Sequence, residues 1–337
     1  MSENSDKIDV HKAPNIPGLI FRHFQGDKDF PKMVSVLDKC KKADQFEQAN
    51  TVEGITLFYS HLVNCDPYTD MLFVEINGDV VGYTRVLWME EPQGLIYSHF
   101  AMLSPEWRGK GIRRAMLHFN ENRAREIARE HTGDRPRFFQ AWAEETEIHW
   151  ISLLLTESYQ PARYFFFMVR SLLDPIPDVP LPEGLEIRPV HPEDYWTIWK
   201  AADEALQDHW GGSSLTDEEL KKWMERPTFN PGLWQVAWDK ITDQVAGVVL
   251  NFVDEEENEE YHRKRAYMGP IGVRRPYRQK GLASALIARS LKVLKENGIT
   301  EAALGVDSEN LTGAVHLYEN MGFSIVRQSI TYRKPME

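Results

Sequence analysis

The chain has 337 residues, a length that predicts two domains because single domains usually span about 100–200 residues. Hydrophobic residues make up 42% and charged residues 27%, a composition typical of a folded protein rather than a disordered one. Lys and Arg number 39 against 51 Asp and Glu, and the net charge of −12 disfavours general binding to nucleic-acid phosphates. A nucleic-acid partner is therefore not expected.

The chain has two cysteines, Cys40 and Cys65, too few for a disulfide framework and without the paired spacing of a zinc site. We therefore expect no metal and a cytoplasmic location. The first residues show no apolar stretch behind a basic start, and no segment approaches the roughly 18 apolar residues of a membrane span. The sequence predicts neither secretion nor membrane association.

A proline-rich segment, residues 174–183, divides the chain almost in half and predicts a linker, because proline suits neither helix interiors nor central strands. Three short sequences on one side of it recur in the same order on the other side. The pairs are Gly18–Arg22 with Gly184–Arg188, Asp79–Tyr83 with Gln244–Val248, and Arg108–Ile112 with Arg278–Leu282. The repeat predicts a duplicated domain, residues 18–173 and 184–334.

The second half alternates strand and helix patterns, which predicts a mixed α/β fold. Predicted strands cover residues 185–189, 234–238, 245–253, 266–273, 302–306 and 323–332. Predicted helices cover residues 194–206 and 216–226. A further helix is predicted directly after Gly281, and another through Ala314. Thr216 and Glu219 have the spacing of a capping box. The acidic run 254–260 predicts a solvated loop, and the apolar run 164–169 predicts a fully buried strand.

A predicted strand leads directly into a basic, glycine-containing loop and then into a helix, an arrangement that suits phosphate. Arg278, Gln279 and Lys280 supply polar donors, and Gly281 lets an anion approach the backbone. The small side chain of Ala283 keeps the first helical turn slim. By itself this loop also suits a basic helix start on a protein surface.

A second motif follows the loop. A short strand leads to Asp307-Ser308-Glu309-Asn310, and Ala314, Leu317-Tyr318 and Gly322-Phe323 lie on and after the next helix. Together the two motifs resemble the GNAT acetyltransferase superfamily, and the resemblance covers residues 18–172 and 184–334. It implies two tandem GNAT acyltransferase folds, each with a central, mostly antiparallel mixed sheet flanked by helices. It also implies acetyl-CoA as co-substrate.

The resemblance assigns roles to residues of the second half. The loop from Arg278 to Ser284, which includes Leu282, would hold the pyrophosphate of acetyl-CoA, and Ile271, Gly272 and Val273 would form the strand that pantetheine lies along. Asn310 would make a polar contact on the CoA side, and Tyr318 would protonate the leaving thiolate. A backbone N–H near Val273 is a plausible oxyanion donor.

The general base is not evident, because many family members use a glutamate on the strand before the loop and residues 265–273 contain no carboxylate. Tyr267 or the nearby Glu259, Glu260 and His262 remain alternatives. His209 is the other candidate for the base. Together with Trp210 and the two glycines that follow, between two predicted helices, it resembles the substrate-side loop of such enzymes. Each of these residues also has an ordinary structural role open to it.

The first half departs from the motif. In its loop, Arg113 stands where a small residue is expected, and alignment of the halves places Leu155 opposite Tyr318 and Glu147 opposite Asn310. We interpret this copy as degraded, so that it either still binds CoA or only completes the substrate groove. The tandem arrangement is similar to that of family members that acetylate the amine of a cysteinyl amino-sugar conjugate.

These observations predict an N-acetyltransferase whose C-terminal domain transfers acetyl directly from acetyl-CoA to a primary amine of a small molecule or peptide. The alternative is a non-catalytic acyl-CoA-binding sensor. Nucleotide binding through the same loop would need a denser glycine pattern than either half has. The acceptor is left open, as is the choice between monomer and homodimer.

Overall fold

The computed structural model describes residues 7–211, 216–310 and 313–337. It divides the chain into two compact units. The N-terminal unit comprises the described residues up to Arg163 together with Ser329–Glu337, and the C-terminal unit comprises Tyr164–Gln328. Each unit therefore takes one strand from the other half of the sequence, an exchange that the internal repeat did not reveal.

The described residues form twelve strands: β1 Leu19–Arg22, β2 Met71–Ile76, β3 Asp79–Glu91, β4 Gly94–Leu103, β5 Arg137–Glu144, β6 Gln160–Ser171, β7 Leu185–Ile187, β8 Gln235–Asp239, β9 Val245–Val253, β10 Arg265–Val273, β11 Glu301–Asp307 and β12 Ser324–Pro335. They also form ten α-helices: α1 Phe30–Asp44, α2 Val52–Ser60, α3 Pro67–Asp70, α4 Ile112–Glu130, α5 Ile148–Thr156, α6 Tyr195–Leu206, α7 Asp217–Met224, α8 Glu255–Glu260, α9 Leu282–Glu296 and α10 Ala314–Asn320. The mixed α/β class predicted from the sequence is confirmed.

In the N-terminal unit the strand order is β1-β2-β3-β4-β5, and residues 329–335 of β12 pair with β5. All neighbours are antiparallel except β4 and β5, which run parallel. The C-terminal unit repeats this pattern in the order β7-β8-β9-β10-β11, with residues 165–171 of β6 paired to β11. Here β10 and β11 are the parallel pair.

The core of the C-terminal unit has two parts, one on each face of its sheet. On one face the apolar stripe of α9, including Leu286 and Leu291, packs against Ala302 and Leu304 of β11. On the other face, α6 packs through Ile198 and Ala202 against alternate residues of β8 and β9. The helix that leads away from the predicted phosphate loop is therefore fixed on one face of the sheet by burial of apolar surface.

Local sequence signals account for several boundaries. Thr216 and Glu219 form the predicted capping box at the start of α7. The proline-rich segment contains no helix or strand between residues 175 and 182, and Ile176, Val179 and Leu181 pack against the core of the C-terminal unit.

Two expectations about burial are wrong. The acidic run 254–260 forms the short helix α8 instead of a solvated loop, because the Asp254 side chain accepts a hydrogen bond from Glu257 N and caps it. Glu257 and Asn258 are buried within it. The run 164–169 is a strand, but of its residues only Met168 is fully buried, because alternate side chains of a strand point to opposite faces.

Candidate functional site

The sheet of the C-terminal unit opens between its two parallel strands. The ladder between β10 and β11 joins Arg265, Ala266 and Tyr267 to residues 301–303 and ends there among the described residues. From Ile271 to Val273, β10 stays paired with β9 on its other edge. The result is a cleft whose wall is the free edge of β10.

The free edge offers backbone hydrogen-bonding groups to a ligand. Arg274 N donates to Ala246 O on β9, so alternation along the strand turns the N–H groups of Ile271 and Val273 towards the cleft. Gly272 lies between them, and a Cβ there would lie 2.7 Å from the Cβ of Ala205. Glycine at this position allows α6 to pack closely behind the cleft wall.

The predicted phosphate loop lies at the end of this edge. Gln279 and Gly281 both adopt the left-handed conformation, with φ of 61° and 80°. The first hydrogen bond of α9 runs from Ala285 N to Gly281 O, so the N–H groups of Leu282, Ala283 and Ser284 have no partner within the helix. These amides and the positive end of the helix dipole suit a phosphate.

Arg278 holds the loop in place. Its Nε donates to Val273 O at 3.0 Å, Nη1 to Asp208 at 2.7 Å and Nη2 to Ala205 O at 3.2 Å. The guanidinium therefore ties the loop to β10 and to the end of α6. Lys280 Nζ donates to Pro276 O at 2.9 Å, and the described residues supply it with no carboxylate. Lys280 is thus the loop side chain with positive charge to offer an anion.

Tyr318 lies in α10 and is buried, with 7% of its surface exposed. Desolvation raises the pKa of its phenol to about 12, so the hydroxyl keeps its proton at neutral pH. Asn310 follows β11, and its N–H donates to Asp307 O. The residues next to it, Leu311 and Thr312, are outside the described part of the chain.

Tyr267 is the last residue of β10 before the sheet opens, and its side chain lies on the face opposite α9. Its hydroxyl donates to the carboxylate of Glu257, which also forms an ion pair with Arg263. Burial and this carboxylate raise the pKa of the phenol, so Tyr267 is a proton donor and not itself a base. Glu257 was missed by sequence reasoning, which placed it in a solvated loop.

The aromatic rings of Phe252 and Phe167 flank Tyr267, with centroids 5.2 and 6.2 Å from it. Trp210 packs at 6.2 Å from Phe165, which pairs with Asp307 at the end of β11. This aromatic face, defined as Phe165, Phe167, Trp210, Phe252 and Tyr267, lines one side of the sheet at the cleft.

His209 lies beside this face. The residue is exposed, but desolvation still lowers the pKa of its imidazole, while the carboxylate of Asp307 opposes that shift. The structure therefore brings the three predicted acceptor-side residues, His209, Trp210 and Tyr267, to one side of the open cleft. The predicted alternatives Glu259 and Glu260 are exposed on α8.

Comparison with known proteins identifies this arrangement. Residues 195–323 match the model of the Acetyltransferase (GNAT) family. This stretch is a GNAT domain. The family resemblance inferred from the sequence motifs is thereby confirmed, and the chain is an acyltransferase of the acetyl-CoA-dependent kind.

Curated relatives of the chain carry the name mycothiol acetyltransferase. The chain is 26% identical to the protein of that name from Salinispora arenicola over 91% of its own length and 94% of the relative. It is 32% identical to the one from Thermobispora bispora, over 51% of the chain and 58% of the relative.

Solved structures extend the GNAT fold over both units. A GCN5-related N-acetyltransferase from Sphaerobacter thermophilus is similar with a TM-score of 0.74 and 23% identity, covering 95% of this chain and 96% of that one. A tandem GNAT protein from the clavulanic acid biosynthesis pathway has a TM-score of 0.67 and 14% identity, covering 95% and 99%. The predicted tandem GNAT fold is confirmed.

The N-terminal GNAT fold has no tyrosine at the position that corresponds to Tyr318. In both folds a residue with positive φ follows the last helix, Ser158 in the N-terminal fold and Gly322 in the C-terminal fold. The next residue donates its N–H to a carbonyl five positions earlier, which is that of Leu154 in the N-terminal fold and that of Tyr318 in the C-terminal fold. The counterpart is therefore Leu154, one residue from the predicted Leu155.

The described ranges contain neither a candidate membrane span nor a candidate metal cluster. No helix there is both long and apolar enough to cross a membrane. No group of three or more His, Cys, Asp or Glu side chains in those ranges is placed to hold a metal ion.

Proposed function

We propose that the C-terminal GNAT domain transfers the acetyl group of acetyl-CoA directly to a primary amine. The observation that carries this proposal is the open edge of β10 leading into the loop whose helix amides lack partners. Acetyl-CoA supplies an activated thioester. Its pantetheine amides suit the free edge at Ile271–Val273, and its pyrophosphate suits the N–H groups of Leu282, Ala283 and Ser284 with Lys280 beside them.

Direct attack by the amine forms a C–N bond and places negative charge on the thioester oxygen. The Ile271 N–H also faces the cleft, lies nearer to Tyr267 along β10 than the Val273 N–H does, and would donate to that oxygen. When the C–S bond breaks, the electron pair leaves on sulfur. Tyr318 then gives its proton to the thiolate and is reprotonated from solvent.

The attacking amine must lose a proton, and Tyr267 with Glu257 offers a route for it. The amine proton passes to the Tyr267 oxygen as the Tyr267 hydroxyl proton passes to the Glu257 carboxylate. Tyr267 gains one proton and loses another, so its charge does not change. Glu257 becomes protonated and later releases the proton. In this route Tyr267 relays the proton and Glu257 is the base.

A covalent acyl-enzyme has no support from the cysteines. Cys40 and Cys65 both lie in the N-terminal unit. Burial raises the pKa of both thiols, that of Cys65 to about 12, so neither is an activated thiolate.

The acceptor side favours a small amine that is cationic in solution. The carboxylates of Asp307 and Glu257 and the faces of Trp210 and Tyr267 are the groups an ammonium-bearing molecule would meet. Because the curated relatives are named mycothiol acetyltransferase, the precursor amine of mycothiol is the first acceptor to assay.

Calorimetric titration with acetyl-CoA tests the site through two matched glycines. Gly281 and Gly298 have φ of 80° and 77°, and a Cβ at either meets no atom within 4 Å. Gly281→Asp and Gly298→Asp therefore carry the same backbone strain, but only the first places a carboxylate in the loop. We expect Gly281→Asp to weaken binding at least about tenfold and Gly298→Asp to leave it unchanged. Equal affinities would contradict the proposal.

A further inference from the structure

The N-terminal unit contains a cavity of about 220 Å³ that the transfer reaction does not use. It lies where the ladder between β4 and β5 ends, at the pair His99 and Ala141. This position corresponds to the opening of the sheet at Tyr267 in the C-terminal unit. The N-terminal unit therefore keeps a cleft at the same place in its fold.

The contacts that acetyl-CoA would need in this cleft are made by the protein's own side chains. Arg113 Nε donates to Ala101 O at 2.7 Å, and Ala101 occupies the position of Ile271 on the free strand edge. The loop N–H of Gly109 donates to His149 Nε2 at 2.9 Å. Arg113 thus occupies a strand-edge position that pantetheine would use, and His149 occupies an amide of the loop.

The remaining space is small. A cavity of about 220 Å³ suits a small organic molecule of about ten non-hydrogen atoms. Aromatic rings of Phe100, Trp142 and Trp150 line it. The Arg113 guanidinium lies 4.5 Å from the Trp150 ring centroid, so its charge is fixed against an aromatic wall.

The polar atoms of the cavity favour an anion. Arg113 is 3% exposed, and its Nη1 has no hydrogen-bond partner among the described residues. The nearest carboxylate, Glu147, lies 3.5 Å from Nη2 and Arg85 adds a second guanidinium to the lining. His99 is also buried, and its Nδ1 has no hydrogen-bond partner among the described residues. The lining therefore contains two guanidinium groups, those of Arg85 and Arg113, and one carboxylate, that of Glu147, which gives it a net charge of one positive unit.

We propose that this cavity binds a small organic monocarboxylate with an aromatic or similarly flat apolar body, and that the Arg113 guanidinium is its anchor. The carboxylate neutralises the excess positive charge and completes the hydrogen bonding of the buried guanidinium. The apolar body lies among Phe100, Trp142 and Trp150. This ligand is distinct from both acetyl-CoA and the amine acceptor.

Titration with benzoate, followed by calorimetry and by ligand-observed NMR, tests the site. Benzoate has nine non-hydrogen atoms, and benzamide is a neutral molecule of nearly the same shape. We expect one benzoate per chain with a Kd below about 1 mM, and at least about tenfold weaker binding of benzamide. Equal binding of the two, or no saturable benzoate binding, would overturn the proposal.

Two variants change the cavity charge in opposite directions. Arg113→Met should weaken benzoate at least about tenfold, whereas Glu147→Gln, which removes the competing carboxylate, should tighten it. If Arg113→Met does not fold, Glu147→Gln decides, and weaker or unchanged binding there contradicts the site. Gly281→Asp should keep full benzoate affinity, so that failure of this proposal and failure of the acetyl-CoA site are separate outcomes.

Discussion

Arg278 Nη1 lies 2.7 Å from the carboxylate of Asp208, and the N-terminal unit repeats the pair as Arg108 and Asp44 at 2.6 Å. In both units the same guanidinium also donates from Nε to the last carbonyl of the strand before the loop. The pair therefore fixes the loop to the strand edge in each fold.

Asp208→Asn should loosen the C-terminal loop and weaken acetyl-CoA binding about three- to tenfold, a modest effect because the pair is solvent-accessible. Hydrogen bonds from Arg275 and Arg278 hold the pKa of Asp208 below its usual range. Its contribution is therefore complete above the ordinary carboxyl pKa of about 3.9 and is lost as the pH falls through the lower folded value. Calorimetry at neutral pH measures the first effect, and urea unfolding from about pH 5 down to about pH 2 measures the second. Asp178→Asn, which breaks the exposed pair with Lys292, is the control and should leave acetyl-CoA affinity unchanged.

Tyr318→Phe should lower kcat by about 10²–10⁴-fold with little change in KM for acetyl-CoA, because only the proton donor is lost while the ring remains packed. Steady-state kinetics with a fixed acceptor measure this. Tyr195→Phe, on α6 among the aromatic rings of Phe229 and Trp234, is the matched control. Full activity of Tyr318→Phe would remove this residue from the mechanism.

Tyr267→Phe and Glu257→Gln should both lower kcat/KM for the acceptor, and the loss should shrink as pH rises. At low pH the acceptor is an ammonium ion and depends on the relay, whereas near its own pKa a growing fraction is already the free amine. A pH profile from 6 to 10 gives the comparison. Glu260→Gln, on the same helix but exposed, serves as control. A loss of constant size across the range would argue against proton relay.

The sequence predicted most of the C-terminal fold because its helices and strands have regular apolar periodicity and its loop is a local motif. Glu257 could not be recognised in this way, since its burial beside Tyr267 depends on α8 folding back over β10. The sequence marks Arg113 as a large residue where a small one is expected, but only the structure shows that it donates a hydrogen bond to Ala101 O. The exchange of β6 and β12 between units leaves no trace in local periodicity.

Because His99 is buried, we expect the stability of the N-terminal unit to fall in acid. Burial lowers the pKa of its imidazole to about 3, whereas the unfolded chain binds the proton near pH 6.5. Stability from this group is complete above pH 6.5 and is lost as the pH falls towards 3. Between pH 7 and pH 4.5, the free energy of unfolding should therefore fall by about 2–3 kcal/mol less in His99→Gln than in the parent protein, as measured by urea unfolding. His316→Gln, whose side chain is 80% exposed, should behave like the parent.

The division of labour between the two GNAT folds is tested most directly by a matched pair of loop glycines. Gly111 and Gly281 each precede the helix of their loop, with φ of 86° and 80°. Acetyl-CoA-dependent acetylation of an amine acceptor would be measured for Gly111→Asp and Gly281→Asp at saturating acceptor. We predict that Gly281→Asp loses activity and Gly111→Asp keeps it. Loss of activity in Gly111→Asp with retention in Gly281→Asp would contradict the assignment of the chemistry to the C-terminal domain.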